Sequence, residues 1–134
     1  MFSIIIPTLN NLKYLELCIK SINRNSKFKH EIIPHVNIGT DGTLDFLKKN
    51  NIKFSYTKEN TGICKGMNLA VKKSSFDFIL YAHDDFYFCP NWDEILKNEI
   101  DKIGHNFFYL SGTMMNKGQI VFNCGDNIEN FNEK

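Results

Sequence analysis

The chain has 134 residues and a formal net charge of +1, with 43% hydrophobic, 13% aromatic and 23% charged residues, a balance that fits one soluble globular domain and argues against a disordered chain. Arg24 is the sole arginine and no dense basic run occurs, so the broad electrostatic footprint of a nucleic-acid binder is lacking. Cys18, Cys64, Cys89 and Cys124 lack the paired spacing of a structural zinc site and read as free, mostly buried thiols of a reducing compartment.

Phe2 to Pro7 is a short apolar run rich in β-branched residues, which predicts a strand covered on both faces and ended by Pro7. Asn10 or Asn11 then caps a helix whose apolar positions Leu12, Leu15, Ile19 and Ile22 recur at helical spacing. His30 to Ile38 predicts a second strand, with Pro34 pointing to a bulge or an edge. The turn Gly39-Thr40-Asp41-Gly42-Thr43 leads into a helix from Leu44 to Lys49.

Ile52 to Thr57 reads as a third strand, and Gly62 to Lys73 as a helix turning Met67, Ala70 and Val71 inward. A fourth strand spans Phe76 to Ala82, and an amphipathic helix runs from Trp92 to Ile103, closed by Gly104. Asn106 to Met115 and Gln119 to Asn123 predict a hairpin around Asn116-Lys117-Gly118, and residues 124–134 a loosely held polar tail. The alternation of strands and helices predicts an α/β fold over residues 1–134, with a mainly parallel Rossmann-like sheet and helices on both faces. The N-terminus lacks the basic lead-in of a signal peptide and no run is long enough to span a membrane. The expectation is a cytoplasmic protein, with room for work at a membrane through a partner.

In such sheets ligands sit beyond the carboxyl ends of the strands. Those ends carry Thr8-Leu9-Asn10, Gly39-Thr40-Asp41, Glu59-Asn60-Thr61-Gly62 and His83-Asp84-Asp85. Adjacent carboxylates at the exit of a buried strand are costly unless a cation or hydrogen-bond donors meet them, which singles out Asp84 and Asp85.

Four blocks in this order resemble the donor-binding half of a family 2 glycosyltransferase, the inverting group with the A-type, Rossmann-like nucleotide-diphospho-sugar fold. The first is Ser3-Ile4-Ile5-Ile6-Pro7-Thr8-Leu9-Asn10, where the resemblance implies that Pro7, Thr8 and Asn10 line the nucleobase and ribose. The second, Asn37-Ile38-Gly39-Thr40-Asp41-Gly42-Thr43, resembles the D-D-G-S-T-D-G-T loop but is one residue shorter and lacks both leading aspartates. Asn37 and Asp41 are carried over as donor contacts, with Asp41 equally open to capping the next helix.

The third block, Asn60-Thr61-Gly62 through Asn68-Leu69-Ala70, matches the N-x-G-x-x-x-x-x-N-x-A pattern at full spacing. There Gly62 and Gly66 would let backbone come close to the donor, the helix start favours anions, and Lys65 would meet the diphosphate, with Asn60 and Asn68 beside it. The last block, His83-Asp84-Asp85 followed by Pro90-Asn91-Trp92, departs from D-x-D in its first residue. By resemblance Asp85 binds a divalent cation, Mn²⁺ or Mg²⁺, and Asp84 faces the ribose or the metal shell.

His83 reads as a histidine hydrogen-bonded at a strand end, and His30, His35 and His105 as surface or structural residues. The implied reaction moves a sugar from a UDP- or GDP-type donor to an acceptor hydroxyl of a glycan, lipid or protein, with inversion. Its general base would fall late in the chain, where Asp126 is the candidate and Glu129 the neighbour. Two other readings stay open: a donor-binding domain without turnover, and a non-enzymatic interaction module. A sugar-1-phosphate nucleotidyltransferase ranks lower, because Pro7-Thr8-Leu9-Asn10 contains neither glycine nor arginine.

Overall fold

The computed structural model describes residues 1–112. Eight elements alternate: β1 (Phe2–Leu9), α1 (Leu12–Asn25), β2 (Glu31–Asn37), α2 (Thr43–Lys49), β3 (Ser55–Thr57), α3 (Gly62–Val71), β4 (Phe78–Tyr81) and α4 (Trp92–Ile103). The four strands form one sheet in the order β3-β2-β1-β4, and every pair is parallel.

β1 is the spine. Residues 2–8 are all buried, because the sheet is covered on both faces. On one face Ile4 and Ile6 pack with Leu15, Cys18, Ile19 and Ile22 of α1, Leu47 of α2 and Ile100 of α4. On the other face Ile5 and Ile33 meet Ala70 of α3, with Met67 and Val71 packed around them. The α1 positions spaced three and four apart are thus the ones that go inward, as the 3.6-residue period requires.

Two prolines depart from the sequence expectation. β1 does not end at Pro7 but runs on to Leu9, with Pro7 paired to His35. The ladder explains how this is tolerated. The Ala82 N–H donates to the Ile5 carbonyl at 3.0 Å, so residues 3, 5 and 7 of β1 present their backbone groups to β4. Pairing with β4 reaches only Ile5↔Tyr81, and the donor that Pro7 lacks falls just where that ladder stops.

Pro34 marks neither a bulge nor an outer strand: the β1–β2 register is continuous from Ser3↔Glu31 to Leu9↔Asn37, and β2 lies inside the sheet. The Ile38 N–H donates to the Thr57 carbonyl at 2.9 Å, so the even-numbered residues of β2 face β3. Pairing with β3 begins at His35↔Ser55, one residue after Pro34, and again the absent donor has no partner to lose.

β3 is shorter than expected because Ile52 is still tied to α2, its N–H donating to Leu47 O at 3.0 Å. α3 closes two residues early, with the N–H groups of Lys73 and Ser74 each reaching back three residues at 2.9 Å. Residues 106–112 form no strand, and the rest of the expected hairpin, like the tail 124–134, lies outside the described residues. Among the described residues no helix is long and apolar enough to cross a membrane.

α4 is fastened by a buried pair that the sequence reading passed over. His30 Nε2 lies 3.0 Å from Asp93 Oδ2, both side chains being almost fully buried, and the His30 ring stacks on Phe2 and lies against Trp92. The Phe2 N–H donates to His30 Nδ1 at 3.2 Å, so Nε2 carries the proton donated to Asp93. Asp93 also accepts from the N–H groups of Lys27 (3.1 Å) and Phe28 (2.8 Å). Burial works to raise its pKa, but the donors from Phe28, His30 and Lys27 prevail and hold it below the usual carboxylate value.

Candidate functional site

β2 lies to one side of β1 and β4 to the other, so the chain reverses its winding direction at the carboxyl end of β1. Crevices at such reversals are where open α/β sheets bind ligands. Thr8 stands at this position, 3% exposed, and its hydroxyl donates to Asp84 Oδ2 at 2.6 Å. The first and fourth blocks of the sequence are therefore joined directly.

The second and third blocks are joined through Asn37, paired in register with Leu9. Its side-chain oxygen accepts from the Thr61 N–H at 2.9 Å, from the Thr61 hydroxyl at 3.2 Å and from the Thr57 hydroxyl at 3.3 Å. Asn60 acts locally, its Oδ1 accepting the Gly62 N–H at 3.0 Å. Asn10 Oδ1 accepts the Thr40 N–H at 2.9 Å, tying the β1 exit to the β2 exit.

Asp41 does cap, and at two helices. Its Oδ1 accepts from the N–H (3.2 Å) and hydroxyl (2.7 Å) of Thr43 at the start of α2, while Oδ2 accepts the Leu12 N–H at 2.8 Å at the start of α1. Neither Asn10 nor Asn11 makes that α1 cap. Burial works to raise the Asp41 pKa, and the hydrogen bonds from Thr43 and Leu12 lower it below the ordinary value.

Between these anchors Ile38 adopts φ +67° and Gly39 φ +72°. A β-branched residue in the left-handed region is strained, and such strain persists only where the surroundings over-determine it. Here the Ile38 N–H is held by Thr57, and Gly39 is wedged so closely on Val36 and Leu44 that an added Cβ would lie 2.7 Å from Val36 Cγ1.

The two glycines of α3 separate in role. Gly62 has φ +76° and nothing within 4 Å of where a Cβ would stand, so its backbone faces open space. Gly66 does not approach a ligand: a Cβ there would meet the His35 ring at 2.5 Å, so it is the contact that seats α3 on the sheet. The first turn of α3 carries no acidic residue, which leaves the positive end of the helix dipole uncompensated by charge. Lys65 and Asn68 are both exposed on α3 and, among the described residues, no contact joins them to the carboxylates.

The acidic pair is asymmetric. Asp84 is half-buried and held by Thr8 through one oxygen, while Asp85 is exposed and engaged by no hydrogen bond or ion pair among the described residues. Nearby groups register the charge. Burial first, and then Asp84 and Asp85, push the Cys18 thiol up to about 12, while its Sγ donates to the His83 carbonyl at 3.6 Å. The Tyr81 hydroxyl is raised by burial, by Cys64 of the α3 first turn and by both aspartates, which places that turn opposite the end of β4.

His83 bonds through Nε2 to the Tyr81 hydroxyl at 3.0 Å and lies between the rings of Tyr81 and Phe86, the strand-end role expected of it. Cys64 and Cys89 are exposed, against the expectation of mostly buried thiols; only Cys18 of the described three is buried. Asp126 lies outside the described residues. No group of three or more metal-ligating side chains is assembled among the described residues.

A parallel sheet with these four polar loops at one winding reversal defines the nucleotide-diphospho-sugar fold of A-type glycosyltransferases. The sequence profile described as "Glycosyl transferase family 2" matches residues 3–121, and the chain belongs to that family. It is similar to the poly(ribitol-phosphate) beta-N-acetylglucosaminyltransferase TarS of Staphylococcus aureus strain Mu50, at 31% identity over 93 residues covering 64% of this chain and 16% of TarS. TarS of strain MW2 matches to the same extent.

The crystal structure of S. aureus TarS 1-349 superposes with a TM-score of 0.67 and 28% identity over 75% of this chain and 32% of that one. The same TarS fragment in complex with UDP superposes with a TM-score of 0.67. The chain therefore spans 16% of the length of the curated relative it matches.

Proposed function

We propose that this chain binds a nucleoside-diphosphate sugar, with UDP the first nucleotide to try and GDP the second, in the crevice between the carboxyl ends of β1 and β4. In this reading it forms the donor side of an inverting glycosyltransferase acting on a hydroxyl of a glycan, lipid or protein acceptor. The Thr8–Asp84 hydrogen bond carries the reading, because it brings a strand-exit hydroxyl and the acidic pair to one point. The TarS fragment that shares this fold was solved with UDP, which supports the choice of nucleotide.

The residues present fit a divalent cation. Asp85 offers an unengaged, exposed carboxylate, and Asp84 keeps Oδ1 available while Thr8 fixes Oδ2. Hard oxygen donors few in number suit Mn²⁺ or Mg²⁺, which take their remaining ligands from water and substrate phosphate. When bound, such an ion supplies Lewis-acid neutralisation of charge on the diphosphate. The chain's own part is to orient: Thr8 aims Asp84, Asn37 and Asn60 set the loop entering α3, and the acid-free start of α3 favours the anion, with Lys65 one turn in.

A second reading, a donor-binding domain without turnover of its own, is favoured by the use of the aspartates at the strand ends. Asp41 is spent on Thr43 and Leu12, and Asp84 and Asp85 are both assigned to the cation. Asp126 stays the candidate for the acceptor proton. A reducing, cytoplasmic setting fits the free, exposed Cys64 and Cys89.

Calorimetry with UDP and GDP, each with and without Mn²⁺, tests binding, and donor hydrolysis then separates the two readings. Asp85→Asn is expected to abolish Mn²⁺-dependent UDP binding while leaving thermal unfolding unchanged. UDP affinity equal to that of the unaltered chain would overturn the assignment.

A further inference from the structure

At the far side of the sheet from the donor crevice, β3 forms an edge among the described residues. The Ile38 N–H bond to Thr57 O shows that Thr57 turns its backbone towards β2, so the alternation of a strand turns the N–H and C=O of Tyr56 outwards. Alongside runs an open groove of about 560 Å³ lined by Phe54, Ser55, Tyr56, Leu69, Lys72 and Lys73. Tyr56 is 41% exposed and gives the groove an apolar wall.

The groove lining carries two lysines and no acid. Residues 46–76 hold seven lysines against one acid, Glu59, a concentration that the net charge of +1 conceals. The lysines are spread over α2, α3 and the segments that flank β3 and follow α3, which is why no basic run is visible in the sequence. Lys53 is partly neutralised by Glu31 at 3.2 Å, whereas Lys72 and Lys73 line the groove itself. Short edge strands flanked by lysine also protect a sheet from unwanted pairing, but such protection does not call for an exposed tyrosine on the edge itself.

We propose that the β3 edge and its groove dock an extended, acidic peptide segment of a partner protein. The segment adds as a further strand: its backbone pairs with the outward N–H and C=O of Tyr56, alternate apolar side chains enter the groove, and its carboxylates meet Lys72 and Lys73. The lysine pattern selects the sign of the partner, since like charges brought together at an interface are costly.

The test titrates the full chain with fluorescently labelled short peptides: one alternating glutamate and valine, one alternating lysine and valine, and a copy of the first with proline at alternate positions. The glutamate–valine peptide is expected to bind, the other two not, and hydrogen exchange should show new protection of the Tyr56 amide on binding. Lys72→Glu combined with Lys73→Glu should weaken binding about tenfold or more while leaving UDP affinity and thermal unfolding unchanged. Equal binding of the proline copy would show a surface that reads charge alone and overturn the proposal. So would a Tyr56 amide already protected in the free chain, which would mean that the edge is occupied, or absence of binding by the glutamate–valine peptide.

Discussion

Gly66→Ala separates packing from ligand contact in the α3 block. The added Cβ would lie 2.5 Å from His35 Cδ2 and 3.1 Å from Cγ. The ring cannot retreat freely, because it is fully buried and held by Ser55 Oγ at Nδ1 (2.8 Å) and by Thr57 Oγ1 at Nε2 (3.3 Å). Forcing a methyl into a filled site costs about 1–3 kcal/mol, and loosening a buried hydrogen bond adds about 1 kcal/mol. Against this stands the helix preference for alanine over glycine, about 1 kcal/mol in the other direction. The net expectation is a destabilisation of about 2 kcal/mol, a lowering of the melting temperature by several degrees, with UDP affinity of the folded fraction unchanged. Denaturant titration of Gly66→Ala, His35→Ala and the double variant gives the coupling between the two positions, expected at about 1 kcal/mol or more in favour of the double. A Gly66→Ala chain more stable than the parent would show that helix propensity dominates and refute the clash.

Thr8→Val removes the donor to Asp84 at nearly constant volume; Mn²⁺-dependent UDP affinity should fall about tenfold by calorimetry, in line with about 1.5 kcal/mol for a bond to a charged group. Glu31 is held at about 2, below its ordinary 4.5, by bonds from Ser3, Ser75 and Lys53 that overcome the raising effect of burial. A depressed carboxylate stabilises the fold above its unfolded value and loses that contribution as pH falls towards 2, so Glu31→Gln should flatten the loss of melting temperature between about pH 4.5 and 2. Mass-spectrometric mapping after brief alkylation at neutral pH should find Cys64 and Cys89 modified and Cys18 spared, since burial and the aspartates keep its thiol protonated up to about 12.

The alternation of elements was legible because burial on both faces leaves β1 a near-continuous apolar run and α1 a clear 3.6-residue stripe. The meeting of Thr8 and Asp84 was legible too, since parallel topology puts all strand exits on one side. The two prolines were misread because their cost depends on which neighbour their backbone faces, a matter of register that no local pattern encodes. Gly66 was misread for a similar reason: glycine signals a close approach, but not whether the other party is a ligand or, as here, the His35 ring. The sequence pattern at Asp41 suggested a cap for α2 but could not show that its second oxygen reaches across 29 positions to Leu12. His30 and Asp93, far apart in the chain, offered no spacing signal at all.

The proline at position 7 has a bearing on how the donor crevice keeps its width. In the parallel register, an amide hydrogen at position 7 would be the next donor on the side of β1 that faces β4. An imino acid makes that extra rung chemically impossible, so the strands part at a fixed point. Beyond that point the two strand exits are joined through side chains, the Thr8 hydroxyl donating to Asp84, rather than through backbone.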